Sequence, residues 1–158
     1  MVRIAFLTMP PTLNIKIHTY RMALVPERIK KTMAETERII QAITDFVKGG
    51  DNSDVELLDN VLHKDFRVTN NGFMGTKGIT IIDKEKYLSN IKEGIFGGLP
   101  RVMVIENIDE NGIIASVKLR LESSENTFVS YNLLVLDTDK EWKIINNLAV
   151  VEAKKIED

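Results

Sequence analysis

Cysteine is absent from all 158 residues. Disulfides, thiolate metal sites, redox switching and cysteine nucleophiles are therefore excluded together. Histidine is nearly as scarce. His18 and His63 stand far apart, and neither His-x-x-x-His nor a paired-carboxylate spacing occurs, so no metal site is expected. No apolar run approaches the roughly 18 residues that a membrane span needs, and Ile4–Met9 is too short for the core of a secretory signal. Charge of one sign is missing too: the net value of −2 gives no drive toward nucleic acid or an anionic membrane. Basic residues are not interleaved with aromatics as nucleic-acid readers require. Gly72-Phe73-Met74-Gly75-Thr76-Lys77-Gly78 has glycines and a lysine, but not at the spacing of a phosphate-binding loop or dinucleotide fingerprint. It is expected to be a mobile loop, a candidate for part of a pocket rim. No serine lies in a nucleophile elbow. No cofactor, nucleic acid or membrane is expected as a partner, and the reducing cytoplasm is the expected compartment.

What is present is one ordinary domain, 44% apolar and 28% charged. Residues 1–32 carry six basic groups (Arg3, Lys16, Arg21, Arg28, Lys30, Lys31) against Glu27 alone, and three of the four prolines. They are taken as a basic extension ahead of a domain spanning 33–158. In that domain Ile39, Ile40, Ile43, Phe46 and Val47 recur at helical spacing, and Gly49-Gly50 is expected to stop the helix in a left-handed turn. Ser53 or Asp54 caps a short second helix to about Leu62, with Val55, Leu58 and Leu62 inward. A strand over 66–70 ends at the Asn71-Gly72 turn signal. Asp83 caps a third helix presenting Tyr87, Leu88, Ile91 and Ile95 on one side. A meander follows, with strands over 101–108, 113–121, 127–137 and 142–152. Helices followed by an antiparallel sheet indicate an α+β domain.

The last two strands are apolar on both faces. Phe128, Leu134 and Leu136 oppose Val129, Tyr131, Leu133 and Val135; Trp142, Ile144, Leu148 and Val150 oppose Ile145, Ala149 and Val151. An antiparallel strand with one wet face alternates with polar residues instead. Three modest helices cover one face, so the other needs a second copy of the chain, paired through a two-fold axis, or the N-terminal extension.

Four strings, taken in order, now carry a likeness: Val47-Lys48-Gly49-Gly50-Asp51, Leu62-His63-Lys64-Asp65-Phe66, the Phe128–Leu136 strand, and Trp142-Lys143-Ile144-Ile145. From residue 33 to about 152 the chain resembles the nuclear transport factor 2-like superfamily, in its SnoaL-like and putative lumazine-binding branches. Lys64 stands where those proteins usually have proline. The resemblance implies a cone-shaped, cystatin-like fold: helices wrapped over a curved antiparallel sheet, a pocket between them, and a homodimer formed through the sheet's outer face. Fold alone does not fix function.

An isomerase of this superfamily needs a carboxylate base and a donor for an enolate oxygen. Asp45, Asp65 and Glu106 are the candidate bases, with Asp65 favoured by its neighbour His63; capping or turn formation is the plainer role for Asp65, Asp51 and Asp54. Tyr87 and Tyr131 are candidate donors, Tyr131 being equally suited to a dimer contact. Asn146-Asn147 places one amide inside and one outside whatever the register, and Asn146 is taken as the inward one. Phe46, Phe66, Ile91, Met103 and Ile105 are expected to supply apolar lining. Three functions remain open: a binder of a small organic molecule without chemistry, an isomerase or cyclase using Asp65 or Asp45 with Tyr87, and an interaction module with a filled interior.

Overall fold

A computed structural model describes residues 26–155, with the side chains of Lys30 and Met74 outside the description. Most of the basic extension, residues 1–25, lies outside the described residues. Helix α1 (Glu27–Asp51) is followed by α2 (Val55–Val61), β1 (Leu62–Asn71), a 3-10 turn (Phe73–Gly75), β2 (Ile79–Asp83), α3 (Lys84–Lys92), β3 (Val102–Asn111), β4 (Ile114–Glu122), β5 (Asn126–Leu136) and β6 (Trp142–Ala153). The chain divides into two units between Glu35 and Thr36. The described part of the first unit is the opening stretch of α1, which starts directly after Pro26, a residue whose missing N–H costs nothing at a helix entry. Among the described residues no helix is long and apolar enough to cross a membrane.

From Thr36 on, the fold is the expected α+β arrangement, helices against one face of a curved six-stranded sheet of order β2-β1-β6-β5-β4-β3. The sheet is mixed rather than purely antiparallel: β1 runs parallel to β6. Parallel neighbours need a long crossover, and here the whole meander supplies it. Between the layers lie Ile39, Ile43, Leu58, Phe66, Leu119, Leu134 and Ile144, all essentially inaccessible. Each contributes roughly 1.5–3 kcal/mol by leaving water.

The second and third helices are capped as expected. The Asp54 carboxylate accepts from the Leu57 N–H at 3.0 Å, and that of Asp83 from the Lys86 N–H at 2.9 Å. Four expectations are corrected. Gly49-Gly50 does not stop α1, which continues to Asp51; the left-handed residue is Ser53, at φ 53°. The two glycines serve close approach instead. A Cβ on Gly49 would stand 2.7 Å from Leu58, and one on Gly50 2.8 Å from the Arg101 guanidinium. Ile95 lies beyond the end of α3 and is exposed. Residues 79–83, unassigned by pattern, form β2, an edge strand whose Ile79 and Ile81 face solvent.

The fourth correction concerns β6. Leu133 pairs with Asn146, but Leu134 pairs with Ile144, so Ile145 is an extra residue and the strand carries a bulge. The bulge reverses the faces beyond it. Trp142, Ile144, Asn147, Ala149 and Val151 share the inner, buried side, whereas Leu148 and Val150 point outward. A second bulge, at Glu106 in β3, sets that carboxylate on the outer face.

Candidate functional site

The bulge in β6 decides what faces the helices. Two parallel neighbours, β1 and β6, contribute Val68 and Asn70, and Asn147, Ala149 and Val151, to the inner surface. β5 adds Phe128 and Ser130. Above them stand Phe46 and Gly50 of α1, Tyr87 and Ile91 of α3, and Phe96 and Arg101 of the α3–β3 loop. Together they line a partly open hollow of about 330 Å³, at the small end of the range seen for ligand sites.

One wall is aromatic. Phe66 meets Tyr87 edge-on at 5.5 Å, Tyr87 lies 6.0 Å from Phe96, and Phe96 meets Phe73 edge-on at 5.6 Å. Edge-to-face pairs of this kind add about 0.5–1.5 kcal/mol beyond simple burial. Burial pushes the Tyr87 phenol up to about 12, with nearby Arg101 pulling the other way and Asp51 adding to the rise. The hydroxyl is therefore neutral and a donor at physiological pH.

Charge at the roof is neutralised locally. The Arg101 Nε donates to Asp51 Oδ1 at 2.5 Å, its backbone N–H to Asp51 Oδ2 at 3.1 Å, and Nη2 to the Val47 carbonyl at 3.0 Å. The guanidinium also lies 5.4 Å from the centre of the Phe128 ring. Asp51 ends α1, where a carboxylate opposes the helix dipole; Arg101 offsets that. Gly98 N–H donates to the Gly50 carbonyl at 3.0 Å and ties the loop to the helix end. Gly97, at φ 75°, is pressed so closely on Gly50 that a Cβ would overlap its carbonyl.

The polar groups on the floor are uncharged. Asn70 and Asn147 are 6% and 7% exposed. The Asn147 amide donates to Asn132 Oδ1 at 2.7 Å, and the Asn132 amide donates to Ser130 Oγ at 3.2 Å.

Of the residues singled out from the sequence, Phe46, Tyr87 and Ile91 border the hollow. Phe66 lies behind Tyr87, fully buried. Met103 and Ile105 pack against the core farther along the sheet, outside the lining. Tyr131 is on the opposite face, 48% exposed, with Lys118 Nζ 5.8 Å from its ring centre. Asn146 also faces away, and Asn147 holds the inward position expected for it; the Ile145 bulge is the reason.

The candidate bases stand elsewhere. Asp65 is exposed and bonded to Lys64 at 2.6 Å, which holds its carboxyl below the usual range. Asp45 borders a groove on the far side of α1 and accepts from Gln41 at 2.8 Å. Glu106, on the outer face, is bonded to Lys118 and Arg120, both at 2.8 Å. His63 accepts from the Asp65 N–H at 3.1 Å, a local turn contact. Glu125, at the mouth, is the one carboxylate of the lining, and it is exposed.

Sequence reasoning missed Asn70, Arg101 and Phe96, whereas Phe73 belongs to the loop expected at the pocket rim. Asn70 was findable, since it shares parity with Phe66 and Val68 on one strand. Arg101 was not, because its partner Asp51 lies far away in sequence.

Two layers, a mixed sheet with its first strand parallel to its last, and a partly open hollow between helices and sheet can now be set beside known proteins. Residues 34–148 match the family model described as "Putative lumazine-binding". The chain belongs to that family. It is thereby a member of the nuclear transport factor 2-like superfamily, and solved structures agree. A nuclear transport factor 2-like protein of unknown function from Shewanella baltica OS155 is 16% identical, with a TM-score of 0.66 over 75% of this chain and 94% of that one. Another, from Silicibacter pomeroyi DSS-3, is 11% identical, with a TM-score of 0.67 over 76% and 98%. A ketosteroid isomerase-like protein from Erwinia carotovora atroseptica SCRI1043 is 10% identical, with a TM-score of 0.58 over 72% and 92%. At these identities the likeness is one of fold. No curated protein matches the chain.

Proposed function

We propose that this member of the family binds a small, uncharged, flat organic molecule in the hollow and performs no chemistry on it. One observation carries the reading: the hollow combines an aromatic wall with uncharged polar groups, while Asp51, a partly buried carboxylate at its roof, is held by Arg101. Aromatic side chains offer stacking surface to a planar ring, and a charged ligand would meet no free counter-charge inside. The isomerase reading with Asp65 or Asp45 as base gains no support, because each stands away from the hollow, bonded to a neighbour. The family description and the ketosteroid isomerase-like relative favour a ligand site. The lack of cysteine favours the cytoplasm as the place of action.

The test is native mass spectrometry of the protein purified from its own host. One retained organic molecule per chain is expected. An Ala149→Phe variant, which fills the floor, should lose it at an unchanged melting temperature. Retention by that variant, or the bare chain mass from the wild type, overturns the reading.

We further propose that two copies pair through the outer sheet face. Tyr131, Leu133, Leu148 and Val150 are neighbours there and each is close to half exposed. The adjacent Glu106, Lys118 and Arg120 already pair with one another, so an identical face brings no unpaired charge into the contact. Light scattering should give twice the 17.9 kDa chain mass; the single-chain mass would overturn this pairing.

A further inference from the structure

Two loops border the hollow, and they are held in different ways. Gly72–Gly78 joins β1 to β2 and contributes Phe73 to the lining; residues 93–101 join α3 to β3 and contribute Phe96. The α3–β3 loop is fixed to the body at both ends. The Ile95 and Phe96 N–H groups donate to the Asn90 carbonyl at 2.8 and 3.1 Å, and the Gly98 N–H to the Gly50 carbonyl at 3.0 Å. The Phe96 ring rests on Tyr87. The β1–β2 loop is bonded mainly to itself. The Gly72 N–H donates to the Gly78 carbonyl at 3.0 Å and closes the base, as in a compact Ω-loop. The Thr76 N–H and hydroxyl both donate to the Phe73 carbonyl, at 3.0 and 2.6 Å. These bonds keep the shape of the loop without tying its tip to the body. Its 3-10 turn passes over β6, but a Cβ on Gly75 or Gly78 would meet nothing within 4 Å. Thr76 and Lys77 are exposed. The two loops touch where Phe73 meets Phe96 edge-on, 5.6 Å between ring centres.

Building on the binding function proposed above, we infer that Gly72–Gly78 is a gate for the hollow, a flap that shuts against the fixed α3–β3 loop and is caught there by Phe73 on Phe96. Gly72 and Gly78, at φ 76° and 102°, stand at its two ends, where a backbone angle changes at least cost. The catch is a weak one by design of its chemistry: a single edge-to-face pair biases an equilibrium by only about two- to tenfold. It therefore holds the flap shut and still lets it part. Both rings also line the hollow. A molecule inside touches the shut flap and loses that contact when the flap opens, so occupancy favours the shut state. Entry and release wait for the catch to part.

Lys77 lies in the flap and gives trypsin a site there, whereas Lys140, exposed on the β5–β6 turn, serves as a remote control. A protease cuts a segment only when it is drawn off the surface, so the initial rate at Lys77 reads the open population. Phe96→Ala, which leaves the flap itself unaltered, should raise that rate by about two- to tenfold and leave the rate at Lys140 unchanged. Phe73→Ala should do the same from the other side of the catch. The two changes together should add little beyond either alone, because each removes the same pair. Unchanged rates at Lys77, a rise shared by Lys140, or fully additive gains would overturn the catch. The neutral fluorescent probe N-phenyl-1-naphthylamine tests the coupling to the hollow. At saturation it should slow cutting at Lys77 of the wild type by at least about fivefold. A probe that brightens on binding but leaves that rate unchanged overturns the gate and leaves the binding function standing. A probe that fails to bind, with both single-variant gains present, upholds the flap and its catch and counts against the binding function.

Discussion

Ser53 holds the left-handed conformation that turns the chain out of α1, where a side chain costs about 1–2 kcal/mol relative to glycine. Ser53→Gly is expected to stabilise the protein by about 1 kcal/mol, measured as a higher denaturant midpoint at constant slope. A midpoint that does not move would mean that the turn carries no strain. Glu106 makes a second residue-scale prediction. Bonds from Lys118 and then Arg120 hold its carboxyl below the ordinary value of 4.5. Unfolded chains therefore take up a proton there first as pH falls. The contribution of the cluster is fully present above 4.5 and is lost as pH drops through the lowered folded value. Glu106→Gln should flatten the acid limb of melting temperature against pH below about 4.5, relative to wild type. An acid limb identical in the two proteins would show that the cluster does not couple to folding. At this scale the sequence was readable where a rule is local. Asp54 and Asp83 were found as caps because capping acts over three residues. Asn147 was mistaken for Asn146 because the inserted residue at Ile145 shifts parity, and period-two patterns carry no mark of a bulge.

Elements meet at the end of α1, where glycines let three segments touch. Leu58 of α2 presses on Gly49, Arg101 on Gly50, and the backbone at Gly97 on the Gly50 carbonyl. Gly97→Ala faces both a positive φ and this overlap, and should destabilise the protein by about 2 kcal/mol or more. Thermal unfolding would show it. Because Phe96 and Leu99 flank that residue and border the hollow, the same variant should also weaken any bound molecule. A melting temperature equal to wild type would contradict the packing described. The order of helices and strands was legible from periodicity and turn signals, and so was the enclosing α+β arrangement. Two features were not. Glycine pairs favour both helix ends and tight packing, and only Leu58 and Arg101, distant in sequence, choose between them. β2 has its isoleucines facing solvent, so its pattern lacks the buried alternation that identifies a strand.

For the whole molecule the outer sheet face is the exposed counterpart of the hollow. The sequence led us to expect apolar residues on both faces of β5 and β6, and Tyr131, Leu133, Leu148 and Val150 are the ones on the outer face, each close to half exposed. A charge placed at its centre tests the proposed pairing directly. Tyr131→Asp should convert a dimer to monomers in sedimentation while preserving the helical circular dichroism signal, because the side chain is half exposed and outside the core. A dimer that survives this change would have to use another surface. The parallel contact between β1 and β6 has a consequence of its own for biosynthesis. β1 leaves the ribosome early, but the neighbour that covers its inner edge is the last strand made. Throughout translation the nascent β1–β2 hairpin carries one bare side, a template for stray pairing. Productive folding must therefore wait for the end of the reading frame of this domain, and a ribosome stalled anywhere before Trp142 would present a sticky, unfinished sheet to whatever chaperones attend it.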